Sequence, residues 1–322
     1  MEFKPEITEQ LKKLDAKYQA MGQDLQSYLD GLLYADYLTY WDYIHLDTLL
    51  TLQSPKTSFP DEKIFIMYHQ VTELYFKLAL HEFEQIAEKA NLTSEFLIAR
   101  INRINKYFEV LISSFDIMVD GMEPEQFLKF RMSLLPASGF QSAQYRMIEI
   151  CSTEFINLVE KEYREKYIKN KEDNTIEEMY QFLYWKKGAT ELSSGKKTLT
   201  LKQFEEKYTD ELIKLAKKFE HKNLLSIYHS LPAEEQKNEN LMIHLRQLDV
   251  NVNINWPLSH YKSAVRYLQK SPEDIAATGG TNWQKYLPPR FQKRIFYPEL
   301  WSSDELDNWG KSWVKSVVFG QK

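Results

Sequence analysis

Apolar side chains recur at steps of three and four residues through much of the chain, which is the spacing of one face of an α-helix. The first long example runs from Asp61 to Ala90 without a proline or glycine. Its buried stripe is predicted to comprise Ile64, Met67, Val71, Leu74 and Leu78. After the capping residues 91–94, a second helix is predicted to bury Leu97, Ile101, Ile104, Phe108, Leu111, Phe115 and Met118.

A shorter amphipathic helix is predicted to begin at Pro124, because proline fits the first turn of a helix. One face of this helix contains Phe127, Phe130, Arg131 and Leu134. Arg131 is therefore expected to point inward with its apolar neighbours. A guanidinium left unpaired in the interior costs several kcal/mol, so Arg131 requires an anion. That anion is either an internal Asp or Glu or the carboxylate of a ligand.

The second half of the chain alternates between charged sequence and further helical stripes. Residues 161–203 are charged and turn-rich, so they are predicted to form a surface insertion. Helical spacing resumes from Phe204 to Ser230 and continues in a stripe made of Leu241, Leu245, Leu248 and Val252. Another helix is predicted from Trp256 to about Leu268, with Pro257 at its start or at a kink.

The C-terminal segment 287–322 combines three prolines with three tryptophans. It is predicted to wrap the core as irregular backbone anchored by large apolar side chains. No internal repeat is present, and no stretch clearly has the pattern of a β-sheet. We therefore expect an all-α fold in which residues 1–322 form one large helical domain.

Composition and charge narrow the range of functions. Only 10 of the 322 residues are glycine, and no glycine-rich nucleotide-binding motif occurs, which argues against dinucleotide and P-loop enzymes. A net charge of −5 disfavours nucleic acid as a partner, because its binding relies on clustered Lys and Arg. The single cysteine, the absence of a signal-like start and the lack of a long apolar run predict a cytoplasmic protein without a membrane segment.

Two histidines are candidates for chemistry. His69 lies four residues after Phe65, so the two side chains can line one wall of a pocket. His260 lies four residues after Trp256 on an apolar stripe, which suits an axial haem ligand on a rigid helix. For each histidine, the spacing is also compatible with a structural role in the core, with its hydrogen bonds satisfied by neighbouring groups. His244, on the preceding stripe, is a rival ligand that the spacing does not exclude.

Three blocks of sequence resemble signature segments of the tryptophan 2,3-dioxygenase family, in the same order. They are LTYWDYIHLDTLL (residues 38–50), DEKIFIMYHQVTEL (61–74) and FLKFRMSLLPASGFQSAQYRMIE (127–149). A looser fourth match covers Trp256, His260, Val265, Arg266 and the loop residues 278–280. The resemblance implies a helical domain built around a pocket for haem b. It also implies that L-tryptophan reacts with O2 to give N-formyl-L-kynurenine, the first step of kynurenine-type tryptophan catabolism.

The resemblance further implies roles for residues around the haem. His260 would be the proximal ligand of the ferrous iron, and Trp256 would belong to the haem pocket. His69 would be the distal histidine, close to the indole nitrogen of the substrate, and the candidate catalytic residue. Ser138 would line the distal pocket or contact a haem propionate.

The remaining roles concern the substrate. Phe65 would line the indole pocket, Arg131 would receive the carboxylate, and Thr278 would bind the amino acid end. A further segment of the family completes the active site of a neighbouring subunit, and here it corresponds to Tyr40, Tyr43 and Ile44. A homotetramer with shared active sites is implied.

Two departures from the family pattern bear on the substrate. Pro257 stands where the family has arginine, and the family's G-T-G-G-S-S-G loop reads ATGGTNW at residues 277–283. Three alternatives therefore stay open. They are a haem-dependent monooxygenase or hydroxylase of another indole or aromatic amino acid, a non-catalytic haem or tryptophan sensor, and a helical interaction protein without a cofactor.

Overall fold

A computed structural model of the chain describes residues 3–35, 38–133, 140–169, 175–190, 196–267 and 293–310. Within these ranges the regular structure is helical, and the only strand-like pairings are two isolated bridges, Val159 with Leu183 and Thr190 with Lys197. The predicted all-α fold is confirmed. In the same ranges, no helix is both long enough and apolar enough to cross a membrane.

The chain separates into two compact units, an N-terminal unit (Met1–Ser54) and a main unit (Pro55–Lys322). The N-terminal unit contains four helices, α1 (Pro5–Ala20), α2 (Leu25–Leu33), α3 (Tyr40–Tyr43) and α4 (Leu46–Leu49). Helices α1 and α2 contact each other through a stacked pair, Tyr18 and Tyr28, with ring centroids 4.4 Å apart. None of the described side chains of this unit is buried.

The main unit contains the remaining described helices, which are numbered here in chain order. They are α5 (Asp61–Glu88), α6 (Ser94–Ser114), α7 (Asp116–Asp120), α8 (Pro124–Ser133), α9 (Ala143–Ser152), α10 (Lys161–Lys169), α11 (Ile176–Gln181), α12 (Tyr184–Lys187), α13 (Leu199–Phe219), α14 (Leu224–Ser230), α15 (Ala233–Gln236), α16 (Glu239–Val250), α17 (Trp256–Tyr267) and α18 (Ser303–Asp307). The helical pattern predicted from Phe204 to Ser230 thus belongs to two helices, because Asn223 caps the start of α14.

Helix α5 buries a different face from the one that its sequence predicted. Its core face is formed by Tyr68, Thr72, Phe76, Ala79, Phe83 and Ile86. Of the five side chains predicted to be buried, Ile64 is partly buried, and four are exposed by 44–49%, namely Met67, Val71, Leu74 and Leu78. Both faces have helical spacing, but the core face carries the larger aromatic rings, which bury more apolar area against α6 and α9.

Helix α6 forms the centre of the main unit, in contact with α5 on one side and α16 on the other. All seven side chains of its predicted stripe are buried, from Leu97 to Met118. The predicted stripe of α16 is buried as well, because Leu241, Leu245 and Leu248 are each 0% exposed. For these two helices the apolar periodicity identified the core correctly.

The segment 161–203 is charged, but its described residues contribute to the core. Helices α10, α11 and α12 lie within it, and their buried side chains include Tyr167, Tyr180 and Trp185. The expectation of a surface insertion is therefore wrong for these residues. Their aromatic rings pack against each other and against α13, where the Trp185 and Phe204 rings lie 5.4 Å apart.

Helices α16 and α17 are joined by a π-helix, Asn251–Asn255, rather than by a loop. Pro257 is the second residue of α17 and follows the π-helix directly, so it lies inside a continuous helical run and does not start a separate helix. Beyond α17, the described part of the C-terminal segment is anchored at two points. Arg294 pairs with the buried Glu149 of α9, and Trp309 is 0% exposed.

Candidate active site

Helix α5 presents Phe65 and His69 together, one helical turn apart. Their ring centroids lie 4.1 Å apart, and His69 Nδ1 lies 2.7 Å from the carbonyl oxygen of Phe65. An Nδ1–H that donates to this carbonyl leaves the lone pair on Nε2. Burial lowers the pKa of His69 below its usual value, so this imidazole is neutral at pH 7.

Helix α17 presents the second histidine in a similar way. His260 Nδ1 lies 3.1 Å from the carbonyl oxygen of Trp256, and its ring lies 4.5 Å from the rings of both Trp256 and Phe115. Burial lowers the pKa of His260 to about 4, so it is neutral at pH 7. No described residue is hydrogen-bonded to its Nε2, which is therefore free to bind a metal. The rival histidine, His244, is half-buried like His260, and among the described residues its ring is bonded only to the Asn240 carbonyl of its own helix.

The two histidines lie near each other. A positive charge on His69 would further lower the pKa of His260, which places the imidazoles within electrostatic reach of each other. Tyr68 and Phe115 lie between them, because the Tyr68 ring is 6.1 Å from the His69 ring and 5.8 Å from the Phe115 ring. His69 is exposed and His260 is half-buried, whereas Tyr68, Phe115 and Trp256 beside them are buried.

Arg131 of α8 belongs to the same group of side chains. Its guanidinium carbon lies 5.5 Å from the centroid of Phe127, whose ring lies 6.3 Å from Phe65. Arg131 forms no ion pair with any residue that the structure describes, and its buried Nε has no hydrogen-bond partner there. Burial lowers the pKa of Arg131, and no neighbouring anion opposes that effect. The inward orientation predicted from the sequence is present, and the internal Asp or Glu considered there is not among the described residues.

The other predicted site residues lie outside the described residues or in the N-terminal unit. Ser138 and Thr278 lie outside the described residues. Tyr40, Tyr43 and Ile44 belong to the N-terminal unit, where Tyr40 and Tyr43 are 71% and 73% exposed. From the sequence, Phe115 is predicted only as a member of the apolar stripe of α6, and Tyr68 is not predicted as a site residue. Nothing in their spacing separates these rings from ordinary core residues.

Comparisons with known proteins identify the family of the chain. A sequence model of the family described as Tryptophan 2,3-dioxygenase matches residues 31–256. The tryptophan 2,3-dioxygenase of Herpetosiphon aurantiacus is 30% identical over 270 residues, which cover 82% of this chain and 96% of the relative. The enzyme of that name from Ruegeria sp. (strain TM1040) is 45% identical over 120 residues, or 36% of this chain and 42% of the relative. The one from Anaeromyxobacter sp. (strain K) is 40% identical over 113 residues, or 35% and 42%. These last two alignments span about two fifths of each relative.

Proposed function

Because the chain belongs to the tryptophan 2,3-dioxygenase family, we propose that it is a haem-dependent enzyme that opens the indole ring of L-tryptophan with O2. The product is N-formyl-L-kynurenine, in which both oxygen atoms of O2 are retained and the bond between indole carbons 2 and 3 is broken. This reaction is the first step of kynurenine-type tryptophan catabolism. The observation that carries the proposal is a pair of neutral histidines within electrostatic reach of each other, in a group of side chains that includes a guanidinium with no ion-pair partner among the described residues. We infer that these side chains line one recess.

The residues on α17 and α6 fit a haem b. His260 offers a neutral imidazole whose Nδ1 is held by a backbone carbonyl, which is how protein ligands to metals are commonly oriented. Phe115 and Trp256 give the apolar wall that a porphyrin requires. Ferrous haem, when bound, would supply the iron centre for O2 activation, and His260 would be the residue that holds the iron.

The remaining side chains of the recess hold the substrate. Arg131 can form a bidentate pair with the substrate carboxylate, which gives its guanidinium the anion that it lacks among the described residues. Phe65 supplies an apolar surface for the indole ring, and His69 Nε2 can accept a hydrogen bond from the indole N–H. His69 acts as a positioning group, since addition of oxygen at the indole carbons does not require prior removal of that proton. Thr278 at the amino acid end and Ser138 near the haem complete the proposed site.

The active enzyme is proposed to be a homotetramer with shared active sites. The N-terminal unit buries none of its described side chains, and it exposes Tyr40, Trp41 and Tyr43 by more than half. A segment of this kind gains stability only when a further surface covers it. We assign that role to a neighbouring subunit, whose recess Tyr40, Tyr43 and Ile44 would close. Helix α5 also has an exposed apolar stripe, whose members are four, three and four residues apart, namely Met67, Val71, Leu74 and Leu78. This stripe offers a second surface for contact between copies of the chain.

The test is the absorbance spectrum of the purified full chain together with the mass of the product. We expect one b-type haem per chain with a histidine-ligated ferrous state, and a product that carries two added oxygen atoms. One added oxygen would identify a monooxygenase or hydroxylase. Anaerobic binding of tryptophan followed by O2, with no change in indole absorbance, would identify a sensor. Absence of a Soret band would contradict the proposal and favour an interaction protein.

A further inference from the structure

The π-helix between α16 and α17 has a cause in the sequence. Pro257 has no N–H to continue an α-helix, and its ring would clash with the carbonyl group four residues earlier, at Asn253. In the π-helix, the Trp256 N–H bonds to the carbonyl oxygen of Asn251, five residues back. This wider turn gives the proline ring room, and α17 follows without a break.

The wider turn also decides which way His260 faces. His260 comes nineteen residues after Leu241, a buried side chain of the helix that contacts α6. In an uninterrupted α-helix, at about 100° per residue, that separation would turn His260 about 100° away from the Leu241 side. A π-turn absorbs one extra residue and so offsets a rotation of about 100°. His260 therefore faces the same side as Leu241, toward α6, and its ring contacts the ring of Phe115.

A buried carboxylate lies at the start of this turn. Asp249 is 0% exposed and accepts four hydrogen bonds. Its Oδ1 accepts from the Phe296 N–H at 3.0 Å and from Asn253 Nδ2 at 2.7 Å. Its Oδ2 accepts from the Tyr297 N–H at 3.2 Å and from the Trp301 indole N–H at 3.0 Å. In the described part of the chain, no Lys or Arg pairs with it. The carboxylate therefore joins the end of α16 both to the π-helix and to the C-terminal segment.

Asn253 is the member of this set that lies inside the π-helix. Its side chain is buried, and its amide nitrogen bonds Asp249 while its Oδ1 has no partner among the described residues. A reversed amide would place Oδ1 against the carboxylate, so Asp249 fixes the orientation of Asn253. We propose that Asp249 and Asn253 are positioning residues that hold the π-turn and thereby direct His260 toward the iron. This inference rests on the proposed role of His260 as the haem ligand.

Three variants of the full chain separate positioning from general stabilisation. Asp249→Asn replaces one of the two carboxylate oxygens, and with it the acceptor of two of the four hydrogen bonds, by an NH2 group that donates. Asn253→Ala removes only the bond to the π-helix. Trp301→Phe is the matched control, because it removes one hydrogen bond to the same carboxylate from outside the α16–α17 connection. Haem is titrated into each apo-protein at the Soret band, and the iron–histidine stretch of the ferrous form is recorded by resonance Raman spectroscopy.

We expect Asp249→Asn and Asn253→Ala to weaken haem binding by about tenfold or more, as for residues that support a metal ligand, and to shift the iron–histidine stretch. Trp301→Phe should lower the melting temperature and leave both haem signals unchanged. If Asp249→Asn does not fold, Asn253→Ala decides the question alone. The inference is overturned if Asn253→Ala keeps wild-type haem signals or if Trp301→Phe changes them equally. A wild-type chain that binds no haem removes the proposed function, and this inference with it.

Discussion

Replacement of Arg131 by leucine distinguishes most sharply between an arginine that binds substrate and one that stabilises the fold. The guanidinium donates to no described carboxylate or carbonyl, so its removal leaves no described acceptor without a donor. Leucine also restores an apolar contact beside Phe127 and removes a buried charge. We therefore expect Arg131→Leu to fold normally and to bind haem as the wild type does.

The variant should instead bind and convert tryptophan poorly. Loss of the desolvated guanidinium that pairs with the substrate carboxylate weakens binding of the substrate or its transition state by about 2 to about 5 kcal/mol, which corresponds to a decrease of about 30-fold to about 5,000-fold in kcat/KM. Tryptamine lacks the carboxylate, so its binding should hardly change. The assay compares kcat/KM for tryptophan, and binding of both tryptophan and tryptamine, in the wild type and the variant.

Arg164 provides the matched control, because its pKa is also lowered by burial but its guanidinium is satisfied internally. Its Nε donates to the Val159 carbonyl at 2.7 Å and its Nη2 to the Asn157 carbonyl at 2.6 Å. Arg164→Leu should lower the free energy of unfolding by about 1 to about 3 kcal/mol per orphaned carbonyl and leave substrate preference unchanged. The assignment of Arg131 fails if Arg131→Leu unfolds the protein, or if it weakens tryptophan and tryptamine equally.

Three further predictions concern the ligand, the core and pH. His260→Ala should abolish the haem spectrum or make it dependent on added imidazole, whereas His244→Ala should not; the opposite result would reassign the ligand. Phe83→Ala should lower the free energy of unfolding by about 3 to about 5 kcal/mol, and Leu78→Ala by less than about 0.5 kcal/mol per isolated subunit, as measured by urea unfolding of the monomer. Burial, opposed by its four hydrogen bonds, raises the pKa of Asp249 to about 6 from 3.8. Between these values the folded state binds more protons, so the stability that protonated Asp249 contributes is lost as pH rises from about 3.8 to about 6. The unfolding free energy of wild type minus that of Asp249→Asn should decrease over that window, and a difference that is flat or rises with pH would contradict the raised pKa.

The sequence by itself determined the helical class and the core faces of α6 and α16. On these helices the predicted stripe is the continuous apolar face, and the exposed apolar side chains Val110 and Ile243 are isolated, so the spacing leaves a single face to bury. It also indicated that Arg131 points inward, because the flanking Phe127 and Phe130 share its face. The roles of Ser138, Thr278 and the neighbouring subunit stay predictions.

Only the tertiary structure decided the remaining features. Helix α5 has apolar spacing on two faces, and contact with α6 and α9 selected the face of Phe76 and Phe83 over that of Leu74 and Leu78. The charged segment 161–203 contributes aromatic side chains to the core, because its short helices bury them against α13. His260 and His244 have equivalent spacing in the sequence. They differ in their surroundings because the π-turn rotates His260 toward the ring of Phe115, and a rule that assumes a constant number of residues per turn cannot anticipate that rotation.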